Sequence, residues 1–459
     1  MTKLILLLLL PLLAFAQGPY LPEGVRVGEV TDDSALVWFR LSPLTHPIPG
    51  KFESEPRRAP ASLLPDNTET WKLPGAVPGI TGRGQLWLAT REDLRDMKPA
   101  GDFQTGPDRD YTVHLKLEKL RAGRTYYVAV EINEKPEKPH ASFTTAPNPR
   151  QRAAVRFNTV TGLMYRDLDH DDGFHIFAAM RKHPPSFLVF TGDSVYYDNE
   201  PPRAVTRDLA RYHWQRMYAK PRHVDLLSVT PQYWMKDDHD TLSDDCWPGM
   251  DPDFMLPLTF ETGRQLFLEQ APVQDPTFRT FRWGKGLQVW LLEGRDFRSP
   301  NNAPDGPGKT ILGAKQKEWL KSTVAASDAD HKIIISPTPW VGPDRSRKND
   351  NYSNSGFATE GNEMRAWAAS QKNVYVVCGD RHWQYHSVDA KTGLNEFSVG
   401  PASDEHAGGS PDVDKEVQRF HRIKGGYASV EVTPAGNTSK LTFRLHDVHG
   451  APVYEWTAP

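Results

Sequence analysis

Cysteine is nearly absent from this chain, with only Cys246 and Cys378 among 459 residues, so at most one disulfide can form. Both lie inside the acidic motifs described below. A disulfide would tie two loops together, and the alternative is two small buried thiols. An excess of one charge is also lacking. Fifty-five basic and 58 acidic residues give a net charge of −3, so no global field favours nucleic acid or an anionic membrane surface. Long hydrophobic runs are missing too. The stretch Leu4 to Leu13 is about ten residues, too short for a permanent bilayer span, and no later run is longer. There is no internal repeat, no low-complexity tract and no collagen or coiled-coil pattern.

What is present is enough apolar residue, 38%, for sizeable cores, and a chain too long for one ordinary domain. Lys3, the apolar run and Ala14-Phe15-Ala16 read as a signal peptide over residues 1–16, with no lipid-accepting cysteine at the cleavage site. The mature protein is therefore expected to be exported, periplasmic or extracellular, without a membrane anchor.

Residues 17–147 read as an all-β sandwich. Val25 to Val30 alternates, Asp32-Asp33-Ser34 makes a turn before Ala35 to Phe39, Tyr111 to Leu117 alternates again, and a glycine turn at Gly123 precedes Thr125 to Val130. The proline-rich stretch from Ser42 to Gly84 reads as an irregular insertion, and Ala146 to Arg150 as a linker. Residues 150–459 read as a layered α/β domain. Strand-like runs begin at Val155, Phe187, Val289, Ile333 and Val374, with amphipathic helices at His175 to Lys182, Arg207 to Tyr218 and Lys315 to Lys321.

Three acidic clusters follow apolar strand-like runs. Phe187 to Phe190 leads into Thr191-Gly192-Asp193-Ser194-Val195-Tyr196-Tyr197-Asp198. Tyr233-Trp234-Met235 leads into Lys236-Asp237-Asp238-His239-Asp240 and Asp244-Asp245. Val374 to Val377 leads into Cys378-Gly379-Asp380-Arg381-His382-Trp383. In α/β sheets, side chains at the carboxyl ends of strands face the functional crevice. Three such ends converging would form an oxygen-rich, imidazole-containing metal cage. Each motif alone also reads blandly, as a turn or helix cap or as a solvated acidic loop.

Taken together these motifs resemble the PhoD-like alkaline phosphatases, a branch of the calcineurin-like metallophosphoesterases. Leu292-Glu293-Gly294-Arg295-Asp296-Phe297-Arg298 and Leu312-Gly313-Ala314-Lys315-Gln316-Lys317-Glu318-Trp319-Leu320 are similar to two further segments of that family. The leading Asp33-Ser34-Ala35-Leu36-Val37-Trp38 and Gly123-Arg124-Thr125-Tyr126-Tyr127 look like its β-sandwich. The resemblance implies a two-metal phosphoric ester hydrolase in which a metal-activated hydroxide attacks phosphorus. It implies metal ligation by Asp193, Tyr196, Asp238, Asp244, Asp380 and His382. Asp193 would bridge, Tyr196 and His382 would serve an iron-like ion, and Asp244 and Asp380 a calcium-like one. Arg295 is expected to contact the phosphoryl group and His239 to act as a donor in the transition state, whereas Arg381 is expected to point away from its neighbours Asp380 and His382.

Two departures bear on the metals. The family's first strand ends in an iron-binding cysteine, but Val155 to Val160 leads here into Thr161-Gly162-Leu163, and Asp244 stands where the family has asparagine. Fe3+ loses a soft ligand, so Ca2+ paired with Mn2+, Mg2+ or Zn2+ gains weight. Asp167, Asp169, His170, Asp171 and Asp172 either compensate or form a solvated loop. Arg295 alternatively forms a structural ion pair with Glu293 or Asp296. The expected substrate is a small or polymeric phosphate monoester or diester. The alternatives are a non-catalytic secreted binding protein and an esterase or sulfatase on the same metal site.

Overall fold

The computed structural model describes residues 18–50, 61–65 and 67–459. The expected signal peptide lies outside them. No helix among the described residues is long and apolar enough to cross a membrane.

Nine strands form the largest sheet, in the order Pro452–Thr457, Thr438–His446, Tyr427–Ala435, Val155–Val160, Phe187–Thr191, Gln232–Met235, Val25–Gly28, Ala35–Arg40 and Thr112–Leu117. A second sheet has seven: Arg279–Trp283, Leu287–Leu291, His331–Ser336, Val374–Cys378, Asn395–Val399, Gln384–Val388 and Gln418–Arg422. A third has four: Lys98–Gln104, Arg83–Ala89, Thr125–Glu131 and Ala141–Thr144. The centre of each large sheet is parallel. Val155–Val160, Phe187–Thr191 and Gln232–Met235 run together, as do Leu287–Leu291, His331–Ser336, Val374–Cys378 and Asn395–Val399.

Strand alternation sorts these residues into layers. Phe187, Val189, Tyr233 and Met235 of the first sheet share a core with Val289, Leu291, Ile333, Ile335 and Val377 of the second. Their alternates Leu188, Phe190 and Trp234 turn outward beneath the helices His175–Arg181, Arg207–Tyr218, Pro221–Leu227 and Phe260–Gln270. Trp290, Ile334 and Val376 do the same beneath Gly313–Ala326 and Ala358–Ser370. Threonine caps start two of the helices, Thr206 accepting from the Leu209 amide and Thr259 from the Thr262 amide. The fold class expected from the sequence, a β-sandwich followed by a layered α/β domain, is the one observed.

The sandwich is not a free-standing bead. Val25–Gly28 runs parallel to Gln232–Met235, with Gly28 opposite Gln232, and the Glu29 amide donates to the Gln232 carbonyl. Hydrogen bonding therefore continues across the expected linker boundary. Within the proline-rich insertion, the described residues hold one short 3-10 turn, Thr70–Lys72, before a strand begins at Arg83. Residues 384–457 supply strands to both large sheets, although no elements are inferred for them from the sequence.

Trp234 anchors the strand that leads into the Asp237-Asp238-His239 loop. Its ring stacks on Phe190 at a centroid distance of 3.6 Å, 5° from parallel, with Tyr218 at 5.5 Å and Trp214 at 6.1 Å. Trp234→Ala is expected to cost about 3–5 kcal/mol, the range for truncating a large buried aromatic. A lowered denaturant midpoint beside the unaltered protein is the result to look for.

Candidate metal centre

Because the parallel strands point the same way, their carboxyl-end loops meet at one edge. Gly192, at φ 101°, begins the loop after Phe187–Thr191. A Cβ there would lie 2.5 Å from the Asp237 Cβ, so only glycine lets these two loops touch. Asp193 (φ 54°) and Asp380 (φ 61°) adopt left-handed backbone without being glycine. That conformation costs on the order of 1 kcal/mol or more and persists where the surrounding fold over-determines it.

Carboxylates converge at this edge. Asp193, Asp237 and Asp238 bring oxygens within 4.8 Å of one another, and Asp238, His239 and Asp244 form a second such group. Asp193 Oδ1 and Asp237 Oδ2 are buried with no hydrogen-bond partner. Burial pushes the Asp193 carboxyl well above the usual range, and Asp238 adds to it. Burial also raises Asp237 well above that range, with Arg295 opposing and Asp238 and Asp380 assisting. Asp238 goes the other way: burial opposes its charge, but Arg295 and His239 hold it well below the ordinary value. Orphaned, mutually repelling carboxylates of this kind fit a bound cation.

Tyr196 closes one side. Its hydroxyl lies 3.5 Å from Asp193 Oδ2 and 2.9 Å from His406 Nε2, and His406 Nδ1 lies 2.8 Å from Asp167 Oδ2. The His382 ring packs 4.1 Å from the His406 ring and is held neutral by burial and by His406 and His239. Asp380 and His382 fall in neither carboxylate grouping, although Asp380 acts electrostatically on Asp237. Asp244 sits at the rim, its carboxylate mostly exposed and 3.3 Å from Lys348 Nζ. Of the acidic stretch after Gly162, Asp167 is buried, Asp169 accepts from the His175 amide, and His170 and Asp172 face solvent.

Two placements differ from expectation. Arg295 has no exposed surface, and its Nε donates to Asp237 Oδ1 at 2.5 Å while Nη2 lies 3.6 Å from Asp238 Oδ2. It grips two site carboxylates instead of standing open to a phosphoryl group. Nor does it pair with Glu293 or Asp296 through its side chain, because those acids face Lys236 at 3.0 and 2.7 Å. Arg381 folds back onto Asp380 at 2.7 Å and reaches Asp344 at 3.0 Å. Cys246 and Cys378 are both free and buried.

His239 is oriented by Asp198, whose Oδ1 lies 2.7 Å from Nδ1. Burial works against the imidazolium, but Asp198 and Asp238 outweigh it and raise the pKa well above the ordinary value. Asp198, Asp237 and His406 have no assigned role in the sequence reading, and Asp167 appears there only among the residues that either compensate for the missing cysteine or form a solvated loop. Asp198 and Asp237 sit inside the quoted motifs and were legible there. His406 follows the strand Asn395–Val399 by seven residues, so a fourth strand end feeds the site. Its signal was the apolar Phe397-Ser398-Val399 running into Gly400 and then Asp404-Glu405-His406.

The sequence profile of the family described as "PhoD-like phosphatase" matches residues 157–440, and that of its N-terminal domain matches residues 14–147. The chain belongs to the PhoD-like phosphatase family. No curated protein matches it. Among solved structures, one titled "Structure of PhoD" is similar at 16% identity and a TM-score of 0.73, over 96% of this chain and 90% of that one. A purple acid phosphatase from yellow lupin (Lupinus luteus) seeds is similar at 11% identity and a TM-score of 0.63, over 94% and 73%. Both likenesses establish the shared fold. This PhoD-like phosphatase is thus a metal-dependent phosphatase.

Two outcomes follow for the phosphatase. Arg295→Ala leaves Asp237 and Asp238 without their guanidinium, and breaking a buried pair costs about 3–5 kcal/mol. Arg295→Lys is expected to restore the charge but not the two-carboxylate grip, so chemical denaturation should rank wild type above Lys and Lys above Ala. The second outcome concerns pH. Burial pushes Asp240 up to about 6 against amide donation from Ser194 and Asp237, and pushes Asp380 up to about 6 against Arg381. An acid raised in the folded state costs nothing below its unfolded pKa, and its penalty grows until the folded pKa is passed. Metal-free protein should therefore lose stability as pH rises from about 4 to about 6. Added Mn2+ or Ca2+ should raise the thermal midpoint more at pH 7 than at pH 5. Equal gains at both pH values would contradict it.

Proposed function

We propose that this chain is an exported hydrolase of phosphoric monoesters or diesters, with two metal ions held by Asp193, Tyr196, Asp238, Asp244, Asp380 and His382. The observation that carries this reading is the pair of buried, unpartnered oxygens, Asp193 Oδ1 and Asp237 Oδ2, on two residues whose carboxylates gather with that of Asp238 within 4.8 Å. Export rests on Lys3, the apolar run and Ala14-Phe15-Ala16. The acidic donors favour hard ions such as calcium, magnesium or manganese, whereas the phenol and imidazole side suits Fe3+ or Zn2+.

Bound there, a metal pair supplies Lewis-acid polarisation and a water nucleophile at neutral pH. The chain's own groups account for the rest. Asp193, with one oxygen toward Tyr196 and the other free, is placed to serve both sides of the site. Asp198 occupies Nδ1 of His239 and leaves Nε2 toward the rim, 3.9 Å from Asp244. Asp198 and Asp238 favour the protonated ring, whose Nε2–H can donate to the leaving-group oxygen. Arg295 acts as a positioning residue, since it touches Asp237 and Asp238 and not the reacting atoms. Lys348, bridging Asp244 and Asp245 at the rim, is a cation that an approaching phosphate could meet.

The test is a panel of phosphate mono- and diesters, sulfate esters and carboxylate esters with metal-loaded protein. Phosphate esters should be the best substrates. Asp193→Asn should lower both bound metal and turnover, and His239→Ala should lose on the order of 10²-fold or more in kcat with metal retained. Unchanged metal content in Asp193→Asn would remove the bridging assignment. Turnover of sulfate or carboxylate esters alone would reassign the substrate, and metal binding without any turnover would favour a binding protein.

A further inference from the structure

His406 and Asp167 have no role in the reading above, although they are joined to Tyr196, one of the metal ligands proposed there. His406 comes from the loop after Asn395–Val399, and Asp167 from the turn after Val155–Val160. Their side chains are 7% and 5% exposed. The loop is fixed on both sides: Thr161 bridges Pro401 in parallel, the Ala402 amide donates to the Gly162 carbonyl, and the Gly408 amide donates to the His382 carbonyl.

We infer that His406 is a metal ligand, sharing one ion with Tyr196, His382 and Asp193, and that Asp167 is the carboxylate that orients it. This rests on the proposed metal site and adds a ligand to it. The distances agree with shared coordination. Two donors each about 2.1 Å from one ion stand about 3 Å apart at a right angle and about 3.4 Å apart at a tetrahedral angle. Tyr196 Oη lies 2.9 Å from His406 Nε2 and 3.5 Å from Asp193 Oδ2. The unpartnered Asp193 Oδ1 is a second, separate sign that a ligand belongs here.

The pairing with Asp167 fits the same role. A ligating histidine almost always gives its other ring N–H to a carboxylate or carbonyl, which fixes the tautomer and raises its basicity. With the Nδ1 hydrogen on Asp167, the Nε2 lone pair faces Tyr196, which donates its hydroxyl hydrogen to it. A bound ion would be held by the Tyr196 oxygen and His406 Nε2 together, with the phenol proton released to solvent. Space for the ring comes from Gly162, since a Cβ there would lie 3.2 Å from His406 Cδ2 and 3.1 Å from Pro401 Cβ. A side chain at that position and the imidazole of His406 compete for one volume. The thiolate that the family resemblance leads one to expect has been exchanged for a nitrogen donor arriving from the opposite end of the chain.

The probe is Co2+, added to metal-depleted protein and followed by its visible d–d absorption, by chelator competition and by elemental analysis. Wild type should take up two equivalents. His406→Ala should weaken one of them at least tenfold and change its d–d band, leaving the other equivalent in place. Asp167→Asn, which preserves shape, should weaken the same equivalent by about 10- to 100-fold and guards against simple misfolding of His406→Ala. If both variants bind Co2+ with wild-type stoichiometry, affinity and spectrum while Tyr196→Phe does not, His406 is only a hydrogen-bond partner of the phenol and the inference is overturned. If wild type takes up no Co2+, Mn2+ or Ca2+, the proposed function fails with it.

Discussion

Mutual repulsion among carboxylates gathered at one sheet edge is the constraint around which this molecule is arranged. Two unit charges about 4 Å apart at an effective dielectric of about 20 repel by about 4 kcal/mol. Asp193, Asp237, Asp238, Asp240 and Asp380 lie close enough to shift one another, so the loops would part without cations. Arg295 spans Asp237 and Asp238, Arg381 ties Asp380 to Asp344, and Lys348 draws Asp244 and Asp245 together. These three side chains leave Asp193 Oδ1 and Asp237 Oδ2 unanswered. The protein's own cations hold the edge together but stop short of neutralising it, which is the condition for taking up a metal.

The two sides of the centre differ in chemistry. Toward Asp244 and Asp380 the groups are carboxylates backed by lysine and arginine. Toward Tyr196 they are a phenol and two imidazoles, with Asp167 behind one of them. Hydrophobic layering makes this possible, because the site loops leave strands that are buried on both faces and cannot drift. Two rigid sheets and five converging loops let residues 239 apart in sequence, Asp167 and His406, meet within hydrogen-bonding distance.

Much of this could be read from the residues alone. Apolar runs ending in Gly-Asp marked Phe187–Thr191 and Val374–Cys378, the helix Arg207–Tyr218 was legible from its periodicity, and Asp193 and Tyr196 stood in a recognisable motif. Orientation was not legible. Sequence places Arg295 beside Glu293 and Asp296, but the fold turns its guanidinium toward Asp237 and gives those acids to Lys236. Arg381 looked like an outward residue on an extended segment, whereas the left-handed turn at Asp380 brings it back. His406 was hidden because its meaning depends on Asp167 and Gly162, which are near it only after folding.

The position of Tyr427–Ala435 bears on when the centre can exist. This strand pairs with Val155–Val160 and closes the open side of the parallel core, while Pro401 bridges Thr161. A chain made from its amino terminus exposes the Val155–Val160 edge until Tyr427–Ala435 has been synthesised, and long-range closure of this kind is slow. For most of that interval, until residues 382 and 406 have been made, the aspartates of the early loops have neither His382 nor His406 beside them. Assembly order therefore acts as a safeguard: a partial chain offers an unpaired strand to chaperones or to aggregation, but not a finished metal cage.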